Sequence, residues 1–323
     1  MNLGKVAVTG GAGFLGSQLV RRLMPLCDHI YIIDDLSTGN RAAIPKSDQI
    51  TFYEASITNE KILEEVLPHV EYIFHFACKN LVLSVENMND DFETNLYGGY
   101  LLLQKAEECC RGLKRFVYAS TTSIYSHADI LPTPEFYYNI KLPYAASKFS
   151  MEHYCHVYHQ MYQMPVSILR FSNVYGPGQL ASNPYCGVVA KFFEAAQNQQ
   201  PMIIYGDGSQ TRDFTYVEDA MDAVLLAAVQ ENAVGTVYNV GTGMETSVLD
   251  LAKEVQKASG QKDLPLQFAP KRKVDVVQRR SILAEKIQAE LNWQKPHSIT
   301  EGIAKTYAWL KGVEENENLP RDN

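Results

Sequence analysis

Val6-Ala-Val-Thr-Gly10-Gly-Ala-Gly13-Phe-Leu-Gly16 decides the fold of this 323-residue chain. An apolar, strand-like run enters the segment, and a helix-like run, Phe14 to Met24, leaves it. The glycines at 10, 13 and 16 follow the pattern G-x-x-G-x-x-G. In such a segment the first glycine permits a tight turn, the second lets a pyrophosphate approach the backbone, and the third lets the helix pack on the strand. The unsatisfied N–H groups at the helix start then face an anion, assisted by the helix dipole.

Working outward, strand-like runs at Lys5–Thr9, His29–Asp34, Ile50–Glu54, Val70–Ala77, Lys114–Ser120 and Val166–Phe171 are separated by helix-like runs that include Asn59–Leu67, Asp90–Cys110 and Ala145–Tyr162. This alternation predicts an α/β fold, a Rossmann-type doubly wound parallel sheet covered by helices on both faces. Ligands of such sheets sit beyond the carboxyl ends of the strands. After Tyr175 the pattern loosens, with interruptions at Gly176-Pro177-Gly178 and Asn183-Pro184. Short strands at Met202–Tyr205 and Val237–Val240 mix there with helices at Val188–Gln197, Glu218–Val229, Ser247–Ser259 and Ser298–Lys311. The expected organisation is a dinucleotide-binding domain over residues 1–175, then a smaller mixed α/β substrate-binding region over 176–312 with chain crossings between the two, and a polar, frayed tail over 313–323.

Composition narrows the class. The chain is 46% hydrophobic and 20% charged, as in ordinary globular proteins. A net charge of -8 without a basic stripe argues against a nucleic-acid surface. No apolar run reaches the length of a membrane span. Met1 to Lys5 passes directly into a strand, so no signal peptide is expected and the location reads as cytoplasmic. Cys27, Cys78, Cys109, Cys110, Cys155 and Cys186 form no C-x-x-C pair, which favours reduced thiols over zinc or disulfides, and no metal site is expected.

Three constellations carry chemistry. Asp34 ends the second strand, where a carboxylate can accept both hydroxyls of an adenosine ribose and repel a 2′-phosphate, so NAD is favoured over NADP; the alternative is an aspartate that merely caps a helix. Tyr144-Ala-Ala-Ser-Lys148 places a phenol and an ammonium on one helical face. The lysine favours phenolate and lowers the tyrosine pKa, which suits a base that removes a proton from a sugar hydroxyl; a solvated surface pair is the bland alternative. Ser120-Thr121-Thr122-Ser123 follows the strand Arg115–Ala119, so hydroxyls stand at a strand's carboxyl end, where they can serve a reacting oxygen or cap their own backbone.

Together these residues resemble the extended short-chain dehydrogenase/reductase superfamily, and within it the NAD-dependent nucleotide-sugar epimerases and dehydratases. The resemblance runs from about Lys5 to Trp309. It rests on Thr9-Gly10-Gly-Ala-Gly13-Phe-Leu-Gly16, Asp34-Asp-Leu-Ser-Thr-Gly39, His75-Phe-Ala77, Tyr118-Ala-Ser-Thr121, Tyr144-x-x-x-Lys148, Arg170-Phe-Ser-Asn173-Val-Tyr-Gly-Pro177 and Tyr205-Gly-Asp-Gly-Ser-Gln-Thr-Arg212-Asp-Phe.

It implies Tyr144 as catalytic base, Lys148 as its electrostatic partner and a ribose ligand, and Thr121 as the hydroxyl assisting proton transfer. It implies cofactor contacts at Gly10, Gly13, Phe14, Leu15, Gly16, Asp34, Ser37, Thr38, Gly39 and Ala77. Ser56 and Ile57 stand at the adenine contact, with serine where relatives usually carry aspartate. On the substrate side it implies Asn173, Arg212 and Arg272 at the diphosphate and Tyr205 along the base; Val274 replaces the usual glycine before Asp275. Guanidinium suits phosphate because its fork of donors matches the oxygens.

Thr122-Ser123 stands where 4,6-dehydratases of this type carry Asp-Glu, and Ser123 where decarboxylases carry glutamate. Gly178-Gln179-Leu180 offers no arginine for a uronate carboxylate, which tilts the sugar toward an uncharged hexose or N-acetylhexosamine. The expectation is a UDP-linked nucleotide-sugar 4-epimerase working through a 4-keto sugar. A 4-ketosugar reductase is the first alternative, followed by a decarboxylase or 4,6-dehydratase and last by a non-catalytic dinucleotide binder. The resemblance also implies a homodimer joined through the helices near Asp90–Cys110 and Ala145–Tyr162, with Tyr100, Leu103, Tyr154 and Tyr158 as candidate contacts and core packing as the alternative for each.

Overall fold

A computed structural model describes residues 2–179, 181, 183, 186–272, 277–295 and 297–317. Leu180, Pro184, Val274 and Asp275, which the sequence reading uses, and residues 318–323 of the tail lie outside that set.

Seven parallel strands form the central sheet in the order Thr236–Val240, Val166–Phe171, Arg115–Thr121, Tyr72–His75, Lys5–Thr9, His29–Asp34, Ile50–Glu54. The register beside the glycine loop pairs Thr9 with Ile33 on one side and with His75 on the other. From Lys5–Thr9 the chain builds outward first one way and later the other, so the strand order reverses between Lys5–Thr9 and Tyr72–His75. That reversal opens a crevice at the carboxyl ends of these two strands, where Gly10 and Ala77 begin their loops.

Both faces of the sheet are buried, which is why its strands read as near-continuous apolar runs. Val6, Val8, Ile30, Ile32, Val117 and Leu169 enter one core with the helices Phe14–Leu23 and Val217–Val229. The intervening Ala7, Ile33, Phe116, Tyr118 and Ile168 enter the other, with Glu60–Val66, Gly99–Cys109 and Pro143–Tyr162. The period-2 alternation of side chains along each strand produces this division.

The smaller region has its own core around Phe192, Phe193, Phe214, Leu251 and Val255. Its short ladders join Asn173–Tyr175 to Phe214–Tyr216, Thr211–Arg212 to Thr246–Ser247, and Met202–Tyr205 to Leu266–Ala269. The chain then returns to the main sheet, because Thr236–Val240 pairs in parallel with Val166–Phe171.

Several expected elements change. The run expected as one helix over Asp90–Cys110 is three pieces: Met88–Asp91, a π-helical stretch Phe92–Gly98, and Gly99–Cys109. The wide turn presents the buried Asn95 amide to the backbone of Lys79. The last helix, expected to stop at Lys311, continues to Glu317. Leu103 and Tyr158 lie in the core, so the bland reading holds for these two candidate surface contacts. Tyr154 stays 41% exposed and stacks edge-on against Tyr100.

Candidate active site

Gly10 adopts φ +69, and a Cβ there would come within 2.5 Å of the Ala77 backbone nitrogen. Only glycine allows the two loops at the crevice to approach so closely. Gly16 meets the Gly10 carbonyl, where a Cβ would sit at 2.1 Å, so the helix packs directly onto the turn. A Cβ on Gly13 would have only the Gly10 oxygen at 3.3 Å, which leaves the helix start open for a pyrophosphate. A cleft of about 700 Å³ runs from this loop across the sheet. The implied cofactor positions Phe14, Leu15, Asp34, Ser37, Thr38 and Gly39 line it at one end. Ser56, Ile57 and Ala77 continue the wall, and Thr121, Tyr144 and Lys148 close the other end.

The Asp34 carboxylate accepts the N–H of Ala12 at 2.8 Å and that of Leu36 at 2.9 Å. Burial nevertheless pushes its pKa up, against those bonds. A carboxylate offers about four acceptor sites, so the group retains capacity for a ribose hydroxyl beside these backbone donors. The residues fit a dinucleotide: a glycine cradle that a Cβ would fill, an open helix N-terminus, and an acidic strand end inside the same cleft.

Lys79, which the sequence reading passed over, donates to Asp35 at 3.3 Å and to Ser37 at 2.8 Å, bridging the lip of the cleft. Its backbone is clamped by Asn95, whose Oδ1 accepts the Lys79 N–H at 2.7 Å and whose Nδ2 donates to the Lys79 carbonyl at 2.9 Å. Asn95 also donates to Asp91, which accepts Ser147 Oγ at 3.1 Å from the helix that carries Tyr144. The loop after Ala77 is thereby tied to that helix.

At the chemical end, Tyr144 reaches Thr121 and Cys78. Burial drives the Tyr144 pKa well up, with Cys78 adding to the rise and the Thr121 hydroxyl opposing it. This corrects the expectation that Lys148 would lower it: in the protein by itself, loss of solvation wins. Lys148 is fully buried, its ammonium 4.5 Å from the Tyr118 ring centre, and burial lowers its pKa. Thr121 accepts the Ser123 N–H at 3.1 Å through its oxygen, which leaves its hydroxyl proton to donate. Ser120 turns away and donates to Glu152. Glu152 in turn pairs with Arg170, which also donates to Tyr125 at 2.8 Å.

The substrate-side candidates come from the smaller region, with Asn173 set between the cleft-lining Ser172 and Val174. Asn173 opens a short strand, and its N–H donates to the Asp213 carbonyl at 2.9 Å. The Arg272 guanidinium lies 4.7 Å from the centre of the Tyr205 ring. Arg212 Nη1 donates to the carbonyls of Thr211 at 2.7 Å and Val277 at 3.0 Å. Asp213 and Asp219 are engaged with Thr242, Gly243 and Ile282 and with His297 respectively.

Among the described residues no His, Cys, Asp and Glu group could hold a metal, and no helix is long and apolar enough to cross a membrane. The six cysteines are free thiols. A doubly wound sheet with a glycine loop at its reversal point, and a Tyr-x-x-x-Lys pair across the same cleft, define a dinucleotide-dependent enzyme of the extended short-chain dehydrogenase/reductase class.

Comparison with known proteins agrees. The model of the NAD dependent epimerase/dehydratase family matches residues 6–241, and the chain belongs to that family. It is 36% identical over 319 residues to a UDP-glucose 4-epimerase of Mycolicibacterium smegmatis, covering 95% of this chain and 98% of that one. It is 34% identical over 311 residues to a putative UDP-glucose 4-epimerase of Methanocaldococcus jannaschii, again covering 95% and 98%. The solved UDP-glucose 4-epimerase of Thermotoga maritima superposes with a TM-score of 0.89 at 33% identity, covering 96% of this chain and 99% of that one. Relatives at about 30% identity also include a UDP-N-acetyl-alpha-D-glucosaminuronate decarboxylase and dTDP-D-glucose 4,6-dehydratases. The chain is an NAD-dependent enzyme of the nucleotide-sugar epimerase group.

Proposed function

We propose that this enzyme is a nucleotide-sugar 4-epimerase whose substrate is a UDP-hexose or UDP-N-acetylhexosamine, and that it works through a transient 4-keto sugar. The observation that carries the reading is the pairing of Tyr144 with Thr121 in a cleft wall whose adjoining turn, Thr122-Ser123, has hydroxyls and no carboxylate. Dehydration needs an acid and a base beside the sugar, and decarboxylation in this family uses a glutamate there. Behind that turn the buried carboxylate of Glu152 is held by Arg170 and Ser120. Reversible proton removal at O4 needs only the phenol and the hydroxyl.

NAD would be held by Gly10, Gly13, Phe14, Leu15 and Gly16 at its phosphates. Asp34, Ser37, Thr38 and Gly39 would hold its adenosine ribose, Ser56 and Ile57 its adenine, and Ala77, Tyr144 and Lys148 its nicotinamide end. When bound it supplies a hydride acceptor, and later donor, for C4. Tyr144 takes the O4 proton as the hydride leaves C4, and returns it when hydride is delivered to the opposite face. Thr121 donates to the reacting oxygen. Positive charge from Lys148 opposes the burial that otherwise keeps Tyr144 protonated. Asn173, Arg212 and Arg272 would hold the diphosphate, and Tyr205 the base, so that the sugar can rotate without leaving.

The exposed Tyr154, Val157 and Met161, spaced i, i+3 and i+7 on the helix Pro143–Tyr162, form one apolar face. Met88, Phe92 and Tyr97 are exposed on the preceding helical stretch. These two faces support a homodimer joined through this helix pair. Six free thiols suit a reducing cytoplasm.

The test is incubation of the NAD-loaded protein with UDP- and dTDP-sugars, without added reductant, followed by NMR. Interconversion of C4 epimers with no net cofactor consumption is expected. Stoichiometric consumption of NADH by a 4-keto sugar, with no epimerisation, would overturn the reading in favour of a reductase.

A further inference from the structure

Arg280 is only 8% exposed, and its Nε has no hydrogen-bond partner. No ion pair involves it among the described residues. It lies on the segment that runs beside Thr211–Asp213: Thr211 N–H donates to the Gln278 carbonyl at 2.9 Å, and Ile282 N–H donates to Asp213 at 3.2 Å. Successive side chains on an extended segment point to opposite sides. Arg279 accordingly points outward, where it forms an ion pair with Glu245, and Arg280 points inward. Inward lies Arg212, the neighbour whose positive charge Arg280 feels. Two residues further on, Ile282 packs with Ile124, Tyr125 and Ala145, so the segment borders both the turn after Thr121 and the start of the Tyr144 helix.

The adjacent acid, Asp213, is not paired with this guanidinium. Asp213 Oδ1 accepts Thr242 N–H at 2.8 Å and Thr242 Oγ1 at 2.7 Å, and its Oδ2 accepts Gly243 N–H at 2.9 Å and Ile282 N–H at 3.2 Å. Burial and the charge of Arg212 together push the Arg280 pKa down to about 9. A buried guanidinium with an unused donor, set against a second guanidinium, is costly by itself. The same arrangement is favourable once an anion arrives, because charge-assisted bonds to guanidinium are strong where water is excluded.

We propose that Arg280 is an anion-recognising residue of the substrate site, binding, beside Arg212, an anionic oxygen of the nucleotide sugar. This rests on the nucleotide-sugar reading of the cleft. The oxygen comes either from the diphosphate or from a carboxylate on the sugar, and the second source would revise the sequence reading of an uncharged hexose.

The test uses the NAD-loaded full-length protein and its Arg280→Met and Arg280→Lys variants. Calorimetric affinities for uridine, UDP, UDP-glucose and UDP-glucuronate are compared, together with melting temperatures without sugar nucleotide. Arg280→Met is expected to keep or raise the melting temperature, because it removes an uncompensated buried charge. It should leave uridine binding unchanged and weaken the anionic ligand by about tenfold or more. Equal losses for UDP and UDP-glucose identify the diphosphate; a loss confined to UDP-glucuronate identifies the carboxylate. Arg280→Lys should recover part of the affinity. Unchanged affinity for every ligand overturns the inference, as does an Arg280→Met variant that melts early or fails to fold, since either makes Arg280 structural. If the parent protein binds none of the UDP ligands, the nucleotide-sugar reading itself fails.

Discussion

Arg170 grips Glu152 with two donors: Nε lies 2.9 Å from Oε1 and Nη2 lies 2.5 Å from Oε2, with both side chains almost wholly buried. The pair sits behind the catalytic wall. Glu152 accepts Ser120 Oγ, one residue before Thr121, and lies one helical turn after Lys148. Removing one member strands the other charge. Arg170→Met or Glu152→Leu is therefore expected to destabilise the protein by about 3–5 kcal/mol in a denaturant melt, whereas changing both together to apolar residues should cost clearly less. Additive losses in the double variant would refute the coupling.

Tyr144→Phe deletes only the phenolic oxygen. Turnover should fall about 10²–10⁴-fold, the usual worth of a general base, while NAD affinity and melting temperature stay close to the parent. Activity within about tenfold of the parent would remove the proton-transfer role.

The acid limb of the pH–rate profile should report Tyr144. Burial raises its pKa, so the active phenolate is gained as pH rises, and positive charge near the ring moves that gain to lower pH. Lys148→Met removes such a charge, so the limb should move to higher pH in the NAD-loaded enzyme. A limb that stays in place, or moves to lower pH, would show that Lys148 does not act on the phenol. The sign for stability follows from the same shift. A phenol held above its unfolded pKa adds stability below that value, and the contribution is lost as pH climbs through the folded one.

We assign the cofactor choice to Asp34. Its carboxylate, anchored by Ala12 and Leu36, should repel a 2′-phosphate. Dissociation constants measured for both cofactors should favour NAD, and Asp34→Ala should narrow the difference. NADP binding as tightly as NAD in the parent protein would defeat this assignment.

Light scattering at micromolar concentration should give the mass of a dimer. Val157→Glu with Met161→Glu, both on the exposed face of the Tyr144 helix, should shift it to monomer without unfolding it. A monomeric parent protein would leave that apolar face without the proposed occupant.

Much of this enzyme is written locally. Lys5–Thr9, His29–Asp34, Ile50–Glu54 and Val166–Phe171 are strands because apolar, β-branched runs end at turn residues, and the structure has the same limits. The glycines at 10 and 16 can be read because a close backbone approach admits no other residue. Tyr144 and Lys148 can be paired because helical period four puts them on one face.

What only the tertiary structure decided are relations between segments far apart in sequence. The π-turn over Phe92–Gly98 carries the Asn95 that clamps Lys79, and apolar periodicity carries no trace of it. Leu103 and Tyr158 look like Tyr154 in the sequence, yet packing buries two and exposes one. Glu152 finds Arg170 across 18 positions and anchors Ser120, one residue before Thr121. Tyr144 was expected to titrate low beside its lysine, but its pKa rises, because desolvation depends on everything packed around a group and not on its neighbour along the helix. Arg280 is one arginine among several until the fold buries it beside Arg212 and uses up the nearest carboxylate, because a charge acquires its meaning only from the groups that surround it in space.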